Sequence, residues 1–149
     1  MAEILFYHLQ RRPLEDVLPG LLERCLERGW RATVQTGSQE RAEALDAHLW
    51  TYRDDAFLPH GLAGGDAAAE QPVLLTSDTS NTNGAEVRFF VDGAPLGTLD
   101  GYRRIAILFD GNDPAAIDAA RNWWKQFRED GHDATYWQQN ANGRWEEKG

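Results

Sequence analysis

The side chains able to do chemistry in this sequence are few and scattered. The histidines His8, His48, His60 and His132 never fall at metal-ligand spacing, and Cys25 is the single cysteine. Neither a zinc cluster nor an internal disulfide is expected. Cys25 recurs with leucines at helical spacing, which reads as a buried, inert thiol. His8 ends a strand-like run and reads as a structural histidine. Asp54 and Asp55 are adjacent, and neighbours on a loop diverge, whereas paired acid–base work needs convergence. Ser77 and Ser80 lack the turn that exposes a nucleophile. Arg11 and Arg12 are candidates for a phosphate. Yet the turn Gln10-Arg11-Arg12-Pro13 has no glycine to let backbone N–H groups cradle one. Gly61 to Gly65 is glycine-rich but does not directly join a strand to a helix. No catalytic residue, cofactor or metal is expected.

What the residues do offer is a recognition surface. Arg121, Lys125 and Arg128 lie at i, i+4 and i+7, which places three cations on one helical stripe. Trp123 and Trp124 flank that stripe, and one of two consecutive tryptophans is expected to face away from the core. Arginine beside an exposed aromatic is the composition of partner-binding patches. The ligand that fits is acidic and partly apolar. A second apolar set runs through Leu49-Trp50-Thr51-Tyr52 and Phe57-Leu58-Pro59-His60-Gly61; it either covers the core edge or lines a groove.

These residues need a scaffold, and hydrophobic periodicity supplies one. Ile4 to Leu9 reads as a first strand. Leu14, Val17, Leu18, Leu21, Leu22, Cys25 and Leu26 recur at three- and four-residue spacing, an amphipathic helix stopped at Gly29. Trp30 to Thr36 is a second strand. Ser38 caps a second helix whose buried side carries Ala42, Leu45, Leu49 and Trp50. Residues 53–71 read as a loop. Strands follow at Pro72–Thr76, Glu86–Val91 and Arg104–Phe109. Asp113-Pro114 opens a third helix that ends near Gly131, and Thr135 to Gln139 is a last short strand. The β-α-β-α order predicts an α/β domain with a single-domain, Rossmann-like, open and mostly parallel sheet and helices on both faces. The domain is read as residues 1–139, with a polar C-terminal tail at 140–149.

Composition narrows the function. The 149 residues suit one domain that needs no disulfide or metal to fold. The net charge is −9, with 24 acidic against 15 Lys and Arg residues. That argues against nucleic-acid binding through bulk charge. The acid is concentrated between residues 37 and 120, where 14 carboxylates face 5 Lys and Arg. The ends are balanced, so the cationic stripe stands out locally. No apolar run approaches a membrane span of about 20 residues. The N-terminus lacks the order of a signal peptide, and one cysteine fits a reducing cytoplasm.

The sequence resembles the chi subunit family of bacterial DNA polymerase III. The resemblance rests on Phe6-Tyr7, Leu45-Asp46, Leu49-Trp50-Thr51-Tyr52 and Phe57-Leu58-Pro59-His60-Gly61-Leu62. It continues through Gln71-Pro72-Val73, Leu108-Phe109-Asp110 and the helix with Arg121, Trp124 and Lys125. It implies a compact α/β accessory subunit without catalysis, acting in the cytoplasmic replisome. Such a subunit links the clamp loader, through the psi subunit, to single-stranded DNA-binding protein, whose acidic, phenylalanine-ended tail it binds. DNA contact would then be mainly indirect. The resemblance implies a tail site with Trp50 and Phe57 as apolar walls and Arg121, Trp124, Lys125 and Arg128 as the charged side. One departure is Ile117, where some relatives carry a basic residue. The alternative from a different class is a small nucleotide-binding enzyme of the doubly wound type.

Overall fold

A computed structural model describes residues 3–10, 12–51, 58–65, 67–97, 99, 101–140, 142 and 144–148. Strand β1 (Glu3–Leu9) leads into α1 (Leu14–Glu27), then β2 (Ala32–Gln35) and α2 (Gln39–Thr51). The chain continues with β3 (Gly61–Leu62), β4 (Val73–Thr76), β5 (Val87–Phe90) and β6 (Arg104–Asp110). Helix α3 (Pro114–Glu129) precedes β7 (Asp133–Gln139) and β8 (Trp145–Glu147). All strands join one sheet in the order β3-β4-β2-β5-β6-β1-β7-β8. Every pairing is parallel except β7 with β8. The open, mostly parallel sheet read from the sequence is the observed one.

The side-chain period of two splits β1 between two cores. Ile4 and Phe6 join a cluster with Ile105, Ile107, Phe109, Ala120 and Phe127, the α3 face. Leu9 and half-buried Tyr7 join the other, with the apolar stripe of α1 and with Ala42, Leu45 and Leu49 of α2. Helices therefore cover both faces.

Local chemistry sets the helix ends. Ser38 Oγ accepts from the Arg41 N–H at 3.2 Å and caps α2. Asp113 accepts from Ala115 N–H at 3.1 Å and caps α3, with Pro114 in its first turn. Pro19 inside α1 has no N–H to donate, which frees the Glu15 carbonyl. His48 Nε2 donates to that carbonyl at 2.8 Å, so the defect in α1 becomes a bond to α2.

Three readings need correction. The stretch 53–71 is not all loop: Gly61–Leu62 adds an edge strand parallel to β4, and Ala68–Glu70 forms a 3-10 turn. The polar stretch from Asn140 contains β8, which pairs antiparallel to β7 and sets Trp145 against the α1-side core. A two- or three-residue strand carries too little alternation to show in a sequence. Third, neither tryptophan of the Trp123-Trp124 pair turns away from the core: both are half-buried and pack on the α3-side cluster. The apolar stripe of α3 is wide enough to take both.

Candidate functional site

Helix α3 lays Ala120 and Phe127 into the core and leaves Arg121, Lys125 and Arg128 exposed. Trp124 stands between these layers. Its ring meets Phe6 edge-on at 5.7 Å and Tyr136 at 6.0 Å, and the Arg128 guanidinium lies 5.2 Å from its centroid. Such contacts hold the indole and one cation in fixed relation. Among the described residues no carboxylate is ion-paired with Arg121, Lys125 or Arg128. Ile117, one turn before Arg121, is half-buried on the same helix and packs on the α3-side core.

Arg121 borders a group that sequence reading left out. His8 Nδ1 shares a 2.5 Å hydrogen bond with the Tyr136 hydroxyl. The two residues are 128 positions apart and meet because β1 and β7 are neighbours. Burial is the main cause that lowers the His8 pKa, the Gly111 backbone opposes it, and the nearby Arg121 charge lowers it further. The Tyr136 hydroxyl is pushed up by burial, against the pull of Arg121. Gly111 is required here: a Cβ on it would stand 2.1 Å from His8 Cδ2 and Nε2. Beyond this pair, Gln138 Nε2 donates to Gln10 Oε1 at 2.7 Å. The result is a polar floor of His8, Tyr136, Gln10 and Gln138 beside the cations of α3. Its one sequence signal was His8 at a strand end.

Trp50 is placed elsewhere. Read from spacing as part of the buried side of α2, it is instead half exposed, at 51%, the one exposed large hydrophobic side chain among the described residues, because in the last turn of the helix its ring lies over His60 and not on the sheet. Its ring packs 4.3 Å from His60, which is itself bonded to the carbonyls of Leu58 and Asp46. Helix α2 packs on β3 and β4, whereas α3 packs on β6 and β7 across the sheet. Three strand spacings separate β4 from β6, about 14 Å sideways at ~4.8 Å each. The structure thus joins Arg121, Trp124, Lys125 and Arg128, and sets Trp50 apart from them. Phe57, Arg11, Asp54 and Asp55 lie outside the described residues.

The chain also has the crevice of doubly wound folds. At the carboxyl ends of β1 and β6 the following helices leave to opposite faces, the switch point where such sheets bind ligands. About 830 Å3 opens there. Asp92, Asp110 and Asp113 line it with Arg12 and Arg41. Arg41 is held by Glu15 and Asp92, each at 2.8 Å, and Arg12 donates to the Asp16 carbonyl at 2.7 Å. The carboxylates oppose a phosphate, and the guanidiniums are already engaged. Cys25 is buried, which pushes its thiol up to about 11 and keeps it protonated. Among the described residues no three His, Cys, Asp or Glu side chains form a metal-ligating group. No described helix is long and apolar enough to cross a membrane.

Comparison with known proteins finds one family and its members. The model of the family described as DNA polymerase III chi subunit, HolC, matches residues 1–135. The chain is 31% identical over 113 residues to DNA polymerase III subunit chi of Pseudomonas aeruginosa, covering 73% of this chain and 78% of that protein. It is 25% identical over 117 residues to the probable DNA polymerase III subunit chi of Rickettsia prowazekii, covering 74% of this chain and 71% of that one.

Proposed function

Since the chain belongs to the DNA polymerase III chi subunit family, we propose that it is a non-catalytic accessory subunit that ties the clamp loader, through psi, to single-stranded DNA-binding protein. The tie is made by binding that protein's acidic C-terminal tail. One observation carries this reading: three exposed cations, Arg121, Lys125 and Arg128, share a face of α3 and have no acidic partner among the described residues of a chain with net charge −9.

Recognition follows from that arrangement. Aspartates of the tail pair with the Arg121 guanidinium and the Lys125 ammonium, in charge-assisted bonds each worth roughly 1.5–3 kcal/mol where partly desolvated. An apolar side chain of the tail packs against the exposed part of Trp124 and against Ile117. Ile117 therefore exchanges a charge for apolar contact, and Arg128, held over Trp124, supplies the third cation. Trp50 stands as a separate apolar patch, because it rides on α2 across the sheet, and Phe57 lies outside the described residues. A role in the cytoplasmic replisome, with DNA reached indirectly, fits an acidic protein that must not bind DNA by bulk charge.

Calorimetry with a synthetic acidic peptide ending in phenylalanine tests the reading. Binding is expected for the parent protein and lost in Arg121→Glu, whose thermal unfolding stays unchanged. Equal affinity in parent and variant would falsify the site.

A further inference from the structure

A second cationic surface lies on the opposite face from α3, and the proposed function leaves it unused. Helix α1 covers β1 on that face, but no described helix covers β7 and β8 there. The uncovered flank is a groove of about 340 Å3, a size that takes a small ligand or a side chain or two. Tyr7, Trp137 and Trp145 form its aromatic side, with the Tyr7 and Trp145 rings edge-on at 5.1 Å. Trp30 also lines it.

Its charge is lopsided. The guanidiniums of Arg28, Arg103 and Arg104 stand 5.1, 5.3 and 5.2 Å from the Trp30 ring centroid. Arg24 lines the groove one turn along α1 from Arg28. Glu3 is ion-paired with Arg104 at 2.8 Å. Among the described residues no carboxylate is ion-paired with Arg24, Arg28 or Arg103. Like charges crowded on one indole repel, and an anion set among them relieves that repulsion. Aromatic walls beside arginine are also what energetically dominant interface positions are made of.

We infer that this groove docks an acidic protein segment that lays an aromatic or aliphatic side chain against Tyr7, Trp137 and Trp145 while its carboxylates meet Arg24 and Arg28. The floor decides for a peptide over a nucleic acid. Leu5, Leu21 and Ala106 line it, and they offer nothing to the polar edges of a base, which then lose their hydrogen bonds on burial. The protein then carries two acid-reading surfaces, one on each face of the sheet.

The test follows the amide and indole N–H signals of the isotope-labelled full chain by NMR. The probe is a short peptide of alternating aspartate and leucine or phenylalanine, acetylated at one end and amidated at the other. Saturable movement of the Trp30, Trp137 and Trp145 indole signals supports the groove. In Arg24→Glu/Arg28→Glu the affinity falls about tenfold or more, as expected when charge-assisted contacts are reversed. In Arg121→Glu it stays unchanged, so the outcome is independent of the α3 site. Arg24 on α1 and Arg28 at its C-terminal cap are both exposed; should the double variant not fold, Arg24→Gln/Arg28→Gln replaces it with the same loss expected. The inference is overturned if the indoles do not move, if movement is confined to α3, or if a thymidine oligonucleotide moves them and the peptide does not.

Discussion

Trp50 and Arg121 stand on opposite faces of one sheet. Trp50 ends α2 in the layer over β3 and β4, and Arg121 lies on α3 under β6 and β7. A short extended peptide bound along α3 does not reach Trp50 without passing round the sheet.

The first prediction concerns this separation. Arg121→Glu weakens the acidic tail peptide by at least about tenfold, while Trp50→Ala leaves its affinity within about twofold, because only the first removes a contacting charge. Titration calorimetry at two salt concentrations reads both. Parent affinity falls as salt rises, since part of it is screened charge pairing. A loss in Trp50→Ala equal to that in Arg121→Glu would contradict the two-face arrangement.

Gly111→Ala drives a methyl group into the His8 ring, whose atoms already lie where the Cβ would stand. Overpacking of this kind costs about 1–3 kcal/mol. Urea unfolding should show a lower midpoint at unchanged slope. Because the displaced ring lies next to Arg121, tail affinity should fall too.

His8 makes stability depend on pH near neutrality. Its native pKa lies below the ordinary value because burial and Arg121 oppose the imidazolium. The unfolded imidazole takes up a proton as pH falls through about 6.5. Stabilisation from neutral His8 is therefore complete above that pH and is lost as pH falls toward the native pKa. The carboxylates of Glu15 and Asp78 are held below their usual range chiefly by hydrogen bonds from Arg41 and Ser80. Their contribution is present above about pH 4.5 and fades below it. His8→Gln keeps a polar side chain beside Tyr136 and cannot titrate. Unfolding measured at pH 7.5, 6.5 and 5.5 (about one pH step apart, spanning the imidazole range) should show a shallower loss in this variant; parallel curves would exclude His8 as the cause.

Arg88 is 1% exposed and spends all its donors inside the protein. It bonds Gln35 Oε1 at 3.1 and 2.8 Å, the Ser80 and Asp78 carbonyls at 2.8 and 2.7 Å, and the Tyr102 hydroxyl at 3.1 Å. Arg88→Leu strands those acceptors and costs about 3 kcal/mol or more, a fall in Tm of roughly 10 °C for a chain of this length. Scanning calorimetry gives the value. An unchanged Tm would mean that water replaces the guanidinium without loss.

Much of the scaffold was legible before the structure. Leucine spacing marked α1, Ser38 and Asp113 marked the starts of α2 and α3, and apolar runs marked β1, β2, β4, β5, β6 and β7. Each signal is local: it lives within one helical turn or one strand. β3 and β8 escaped because two or three residues carry no period, and they exist only because β4 and β7 offer edges to pair with. The two tryptophans of α3 misled because adjacency says nothing about how wide a buried face is.

By itself the sequence determined the cationic stripe, since i, i+4 and i+7 share a helix face whatever lies beneath. It also determined the parallel sheet, since β-α-β order leaves few other ways to bury a helix stripe. Only the tertiary structure decided that β1 and β7 are neighbours, which brings His8 to Tyr136 from 128 residues away and sets the pair beside Arg121. It alone put Trp50 on the far face and left the groove beside α1 open. Strand order and the face each helix takes are set by long-range packing, and no spacing within a segment encodes them.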